Sequence, residues 1–157
     1  MKKFKLTDLL IFVVTAELVG ALSALLAGDF TSFYSEMIRP PLSPPPWLFP
    51  VVWAILYALM GTSAYMIWNN RKNEIRRSSA LRLYYIQLAV NFSWSIFFFR
   101  FRALGLAAAV AVILFLLVGA MILSFRRISS LAARLNIPYL VWLGFATYLA
   151  VAIYFLN

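Results

Sequence analysis

The chain contains neither cysteine nor histidine. The first absence excludes disulfides and leaves the redox compartment open. Together they remove the usual zinc ligands, the His and Cys axial ligands of haem, and the commonest general base. Acid is scarce too. Asp8, Glu17, Asp29, Glu36 and Glu74 are the only carboxylates, and charged residues make up 12% of the chain. No Ser-His-Asp set, phosphate loop or carboxylate pair at useful spacing occurs, so hydrolytic and phosphoryl-transfer chemistry has no machinery here. No metal site is expected.

Apolar residues fill the space. The chain of 157 residues is 64% hydrophobic, with a mean hydropathy of +0.89. An ordinary soluble domain is about half apolar and about a quarter charged. A water-soluble fold of this size could not hide so much apolar surface, so lipid is the expected solvent and the chain reads as one integral membrane domain. A spanning helix takes about 20 apolar residues. Five runs approach that length, at about 9–27, 46–68, 83–99, 103–125 and 135–157. They lack the two-residue alternation of a β-barrel. The expected fold is therefore all-α, a bundle of five transmembrane helices, with spans three and four forming a tight antiparallel hairpin around Arg100-Phe101-Arg102.

The net charge of +9 would suggest nucleic acid in a soluble protein. Here the cations sit in short connections, where they read as topology signals and contacts to lipid head groups, and no nucleic-acid partner is expected. Lys2, Lys3 and Lys5, then Arg71, Lys72, Arg76, Arg77 and Arg82, then Arg126, Arg127 and Arg134 fall on one side, eleven in all; Arg39, Arg100 and Arg102 fall on the other. That asymmetry predicts the N-terminus inside and the C-terminus outside. The start, MKKFK before an apolar run, also has the form of a signal peptide, but Leu9–Ala27 is longer than a usual cleaved apolar region.

Small residues recur every fourth position in span one, at Ala16, Gly20, Ala24 and Gly28, and a shorter patch at Gly105, Ala108 and Ala109 marks span four. Such rows let helices approach closely. They suit either packing within the chain or the seam of a homodimer, which is the expected assembly.

Six of the seven prolines lie between Pro40 and Pro50, in RPPLSPPPWLFPVVW. Pro fixes φ and lacks an N–H, and a helix tolerates it in its first turn. The segment is either simple punctuation before span two or a stiff cover over a cavity between helices. Trp53, Tyr57 and Met60 share one face of span two, and Asn91 neighbours Trp94 on span three. A flat aromatic ligand would gain from stacking on such rings. A buried amide such as Asn91 is costly unless bonded, either to a ligand or to a neighbouring helix. Trp47 and Trp68, near span ends, read as interface anchors.

These residues carry a resemblance. Arg39-Pro40, Pro44-Pro45, Trp47, Trp53, Leu56-Tyr57 and Met60-Gly61 resemble the signature of the translocator protein family, also called tryptophan-rich sensory proteins or peripheral benzodiazepine receptors. NFSWSIFFF at 91–99 and IPYLVWLGFATYL at 137–149 resemble that family's third and fifth spans. The resemblance covers nearly the whole chain. It implies a five-helix bundle that binds porphyrins, such as protoporphyrin IX, and other flat aromatic ligands in a pocket near the first loop. The implied ligand contacts are Trp53, Tyr57, Met60, Asn91, Trp94, Phe98, Trp142, Phe145 and Ala146. The implied lid comprises Phe33, Tyr34, Pro40, Pro44, Pro45 and Trp47. Without His or Cys, the porphyrin would be held by stacking and shape, and no cofactor is required. The resemblance further implies a receptor or sensor in a bacterial cytoplasmic membrane that aids transport of the porphyrin or its light-dependent degradation. Trp53 and Trp142 are the candidates for that photochemistry, and turnover is not otherwise readable in the residues. Phe33 and Leu42 stand where many family members carry Trp, and no basic residue follows Tyr154, so sterol binding is not expected.

Glu17 falls near the middle of span one. An intramembrane carboxylate is costly and functional by default. It reads either as a polar partner between helices or as a ligand or proton site. The alternative function is accordingly a proton-coupled small-molecule exporter working through Glu17.

Overall fold

The computed structural model describes residues 3–157, so Lys2 of the inside cations lies outside the described residues. The described chain runs α1 (Leu6–Ala27), α2 (Phe30–Glu36), α3 (Leu48–Asn69), α4 (Glu74–Ser95), a π-helical stretch (Ile96–Arg100), α5 (Leu104–Arg126), α6 (Ser130–Leu135) and α7 (Ile137–Leu156). Among these residues there is no strand.

Four segments are long and apolar enough to cross a bilayer: Leu6–Ala27, Leu48–Asn69, Leu104–Arg126 and Ser130–Leu156. That is one fewer than expected. The difference lies in α4, which begins nine residues before the expected start at 83. Asn73 caps it, its Oδ1 accepting the Arg76 N–H at 2.9 Å. The first turns then carry Glu74, Arg76, Arg77 and Arg82, which a hydropathy reading rejects but a helix accepts, since these side chains are good helix formers. Two short helices were also not expected. Asp29 caps α2 by accepting the Ser32 N–H at 3.2 Å, and Ser129 caps α6 by accepting the Ala132 N–H at 3.2 Å.

The long helices pack in a bundle, α1 against α3 and α4, α4 against α5, and α5 against α7, with α6 bridging α3 and α5. The core at one end holds Met60, Tyr84, Val118, Met121, Phe125 and Tyr139. A second core at the loop end gathers Phe33, Tyr34, Phe98, Ala107, Ala111 and Ile153. Outward, α1 exposes Leu10, Ile11, Val14, Leu18, Leu22 and Leu25. That row would be prohibitive in water and matches a lipid-facing surface.

The small-residue rows pack within the chain only in part: Ala16, Gly20, Gly105 and Ala108 meet neighbours, whereas Ala24, Gly28 and Ala109 are exposed. A Cβ on Gly61 would lie 2.6 Å from Val13 Cα, and one on Gly20 would collide with the Tyr57 ring. Gly61 lets α3 touch the α1 backbone at the N-terminal half of α1, and Gly20 makes room on α1 for the Tyr57 ring. Gly105 faces Tyr154 of α7 in the same way, a Cβ there lying 3.1 Å from its ring. Gly28 has a different role. Its φ of 84° turns the chain out of α1 and into α2.

Candidate functional site

Between α1, α3 and α4 lies a cavity of about 270 Å³, which begins at Glu17 and Gly20. From α1 come Glu17, Gly20, Ala21, Ala24 and Ala27; from α3, Phe49, Pro50, Trp53, Ala54 and Tyr57; from α4, Asn91, Trp94 and Ser95. Phe30 of α2 and Phe99 of the π stretch complete the wall. The α1 residues lie three or four apart, on one face, and from Glu17 to Ala27 the helical rise makes the slot about 15 Å long. Ala21, Ala24, Pro50 and Ala54 are exposed, so the slot is open along one side, between α1 and α3.

Trp53, Tyr57, Asn91 and Trp94 thus meet in one wall, as does Phe49, which the sequence reading passed over. Met60, Phe98, Trp142 and Phe145 are not in that lining. Met60 is fully buried below it, its sulfur 3.8 Å from Gln87 Nε2. Phe98 points to the second core and stacks on Trp94 with centroids 5.3 Å apart. The π stretch, where the Phe101 N–H reaches Ile96 O at 3.0 Å, adds a residue to the turn and brings Phe99 to the cavity. Trp142 stands one ring behind, edge-on to Phe49 at 5.8 Å, with Phe145 beyond it at 5.6 Å. Ala146 faces a crevice of about 10 Å³ beside Trp53, Asn91 and Trp94, which has room for about one water at most.

None of the residues expected to form a lid lines the cavity, but the segment that carries them is firmly tied. Phe33 and Tyr34 sit on α2 and are buried. The Tyr34 hydroxyl donates to the Pro44 carbonyl at 3.0 Å, and its ring meets Phe49 at 5.3 Å. Pro40 and Pro44 are buried, whereas Pro45 and Trp47 face outward. From α7, the Tyr148 hydroxyl donates to Pro41 O at 3.0 Å, and the Asn157 amide brackets Ile38, accepting its N–H at 3.1 Å and donating to its carbonyl at 3.0 Å.

Asn91 is bonded on both sides. The Tyr57 hydroxyl donates to its Oδ1 at 2.5 Å, its Nδ2 donates to Tyr139 Oη at 2.7 Å, and that hydroxyl donates to Gln87 Oε1 at 2.8 Å. This chain joins α3, α4 and α7, so Asn91 serves helix-to-helix bonding at the cavity's inner wall. Three polar groups at or behind the wall are left over. Trp94 Nε1 and Trp142 Nε1 are buried without a partner among the described residues. Glu17 makes no hydrogen bond or ion pair among the described residues.

A helical membrane protein with an aromatic slot beside a proline-rich loop is the class this geometry defines. The TspO/MBR family model matches residues 11–156, and the chain belongs to that family. It is 36% identical over 127 residues to the tryptophan-rich protein TspO of Chlorobaculum tepidum, covering 80% of this chain and 79% of that one. It is 34% identical over 121 residues to the translocator protein of Homo sapiens, covering 76% and 72%. With the tryptophan-rich protein TspO of Archaeoglobus fulgidus it shares 33% over 153 residues, covering 94% and 98%.

Proposed function

We propose that this protein is a membrane receptor or sensor that binds porphyrins of the protoporphyrin IX type, and other flat aromatic molecules, in the slot between α1, α3 and α4. The observation that carries the reading is the wall itself, where Trp53, Tyr57, Trp94, Phe49 and Phe99 surround one apolar cavity beside the tied loop. Pockets for organic ligands are apolar and aromatic, with few polar groups. A tetrapyrrole would insert edge-on through the open side. The names of its relatives, a tryptophan-rich sensory protein in Cereibacter sphaeroides and translocator proteins in mammals, fit a sensing or transport role.

In this reading α4, with its π continuation, is the fifth span despite its charged start. The bilayer is a bacterial cytoplasmic membrane, the N-terminus is inside and the C-terminus outside. A homodimer seam would have Ala24, Gly28 and Ala109 of the small-residue rows available to it, since these stay exposed. Light-dependent degradation of the bound porphyrin needs an electron donor in contact with it. Trp53 is so placed in the slot wall, and Trp142 would act one ring removed, through Phe49. One observation favours the proton-coupled exporter as a second reading, namely that Glu17 faces the same slot.

The test is a titration of detergent-purified protein with protoporphyrin IX, followed by tryptophan quenching. Trp53→Phe and Trp94→Phe should each weaken saturable binding three- to tenfold, about the worth of an aromatic contact. Trp142→Phe should weaken it less. No saturable quenching of the wild type would overturn the porphyrin reading.

A further inference from the structure

We infer that the slot also takes a smaller ligand, a flat aromatic cation of two or three fused rings whose positive nitrogen lies against the Glu17 carboxylate. The inference rests on the slot being a ligand site, as proposed above, and adds the charge and size of what it encloses. Size comes first. A cavity of about 150 Å³ admits one benzene ring. The cavity of about 270 Å³ accommodates two or three fused rings entirely, while a tetrapyrrole must protrude from the open side.

Charge comes second. Every other lining side chain is uncharged, and Glu17 stands at the inner end of the slot with no partner among the described residues. The polar groups nearby do not answer it. The Tyr57 hydroxyl is committed to Asn91, and Asn91 to Tyr139. A carboxylate in apolar surroundings is costly alone and strongly stabilised by an opposite charge delivered by a ligand. The same end of the slot carries the rings of Tyr57 and Trp53, 5.6 Å apart, whose π faces attract a cation. Carboxylate and rings together form a receptor for an aromatic ammonium or iminium group. Such molecules are apolar enough to partition into lipid, and the exposed edge between Ala21, Ala24, Pro50 and Ala54 faces the lipid side of the bundle.

The experiment uses the full chain in detergent and a matched pair of probes, 10-methylacridinium and its neutral carbon isostere 9-methylanthracene. Saturable tryptophan quenching gives both affinities. The cation should bind the wild type about tenfold tighter than the isostere, the combined scale of its Coulombic attraction to the carboxylate and its contact with the rings. Glu17→Gln should remove most of the cation's preference, leaving the smaller share that the Tyr57 and Trp53 rings supply, without changing the isostere, and Glu17→Asp should restore part of what is lost. Equal binding of the two probes by the wild type, or a cation preference undiminished in Glu17→Gln, overturns the inference. If protoporphyrin IX and the isostere bind saturably but the cation gains nothing, only this inference falls. If none of the three binds, the slot is not a ligand site and both readings fall together.

Discussion

An ideal Cβ on Gly61 would sit 2.6 Å from Val13 Cα and 2.7 Å from the Phe12 carbonyl oxygen, both backbone atoms that cannot swing aside. Gly119 in α5 has nothing within 4 Å of the same position. The same substitution at these two helical glycines should therefore have opposite signs. Gly61→Ala must separate α1 from α3 and should cost about 1–3 kcal/mol, the range for overpacking a tight interior. Gly119→Ala adds a better helix former in open space and should stabilise by up to about 1 kcal/mol. Thermal unfolding in detergent, followed by circular dichroism, gives both signs. Equal effects at the two sites would mean that the α1–α3 approach is looser than its backbone contact implies. The cavity borders the α1–α3 packing, because Gly20 and the Tyr57 ring it packs against both line it.

At the level of elements, the proline-rich loop is fixed from two sides, by Tyr34 of α2 on Pro44 and by Tyr148 of α7 on Pro41. Removing one hydroxyl should loosen the loop without unfolding the bundle. Tyr148→Phe deletes one exposed hydrogen bond, worth about 1 kcal/mol, so opening of the loop should become roughly fivefold more frequent. Hydrogen exchange of the amides of Ile38, Arg39, Leu42 and Ser43 would report it, with the melting temperature unchanged. Exchange at the wild-type rate would show that the proline backbone alone holds the loop shut. Both this loop and the aromatic face of α3 were legible in the sequence, because proline density and the spacing of Trp53 and Tyr57 are local signals. The start of α4 was not, since its charged turns break the apolar run while leaving helical propensity intact. Nor was Phe99 in the wall, since the π stretch that turns it there shifts the register by one residue and leaves no mark in periodicity. Trp142 was placed at the ligand by motif alone, and only tertiary packing sets Phe49 between it and the slot.

For the whole molecule the open question is how the bundle of helices sits across the bilayer, and α4 decides it. If α4 spans, Thr31 and Phe101 share one side and Ser78 and Ser130 share the other. If it does not, Phe101 moves to the side of Ser78. The cation count, with Arg39, Arg100 and Arg102 opposing the larger group, favours the first arrangement with Ser78 inside. The absence of cysteine makes the test clean, because a single introduced thiol is the only one in the chain. All four positions are exposed. Thr31→Cys and Phe101→Cys should react with a membrane-impermeant maleimide in intact cells, and Ser78→Cys and Ser130→Cys only after permeabilisation. Labelling of Phe101→Cys only after permeabilisation, while Thr31→Cys labels in intact cells, would remove α4 from the spans. It would also bring the Arg100–Arg102 turn to the same side as Arg76 and Arg77. That outcome would be hard to reconcile with Phe33 of α2, which packs against Phe98 and Phe99 at centroid distances of 5.9 and 6.0 Å while the Arg102 guanidinium rests 4.7 Å from its ring. Those contacts require the first loop and the α4–α5 turn to share one surface of the membrane.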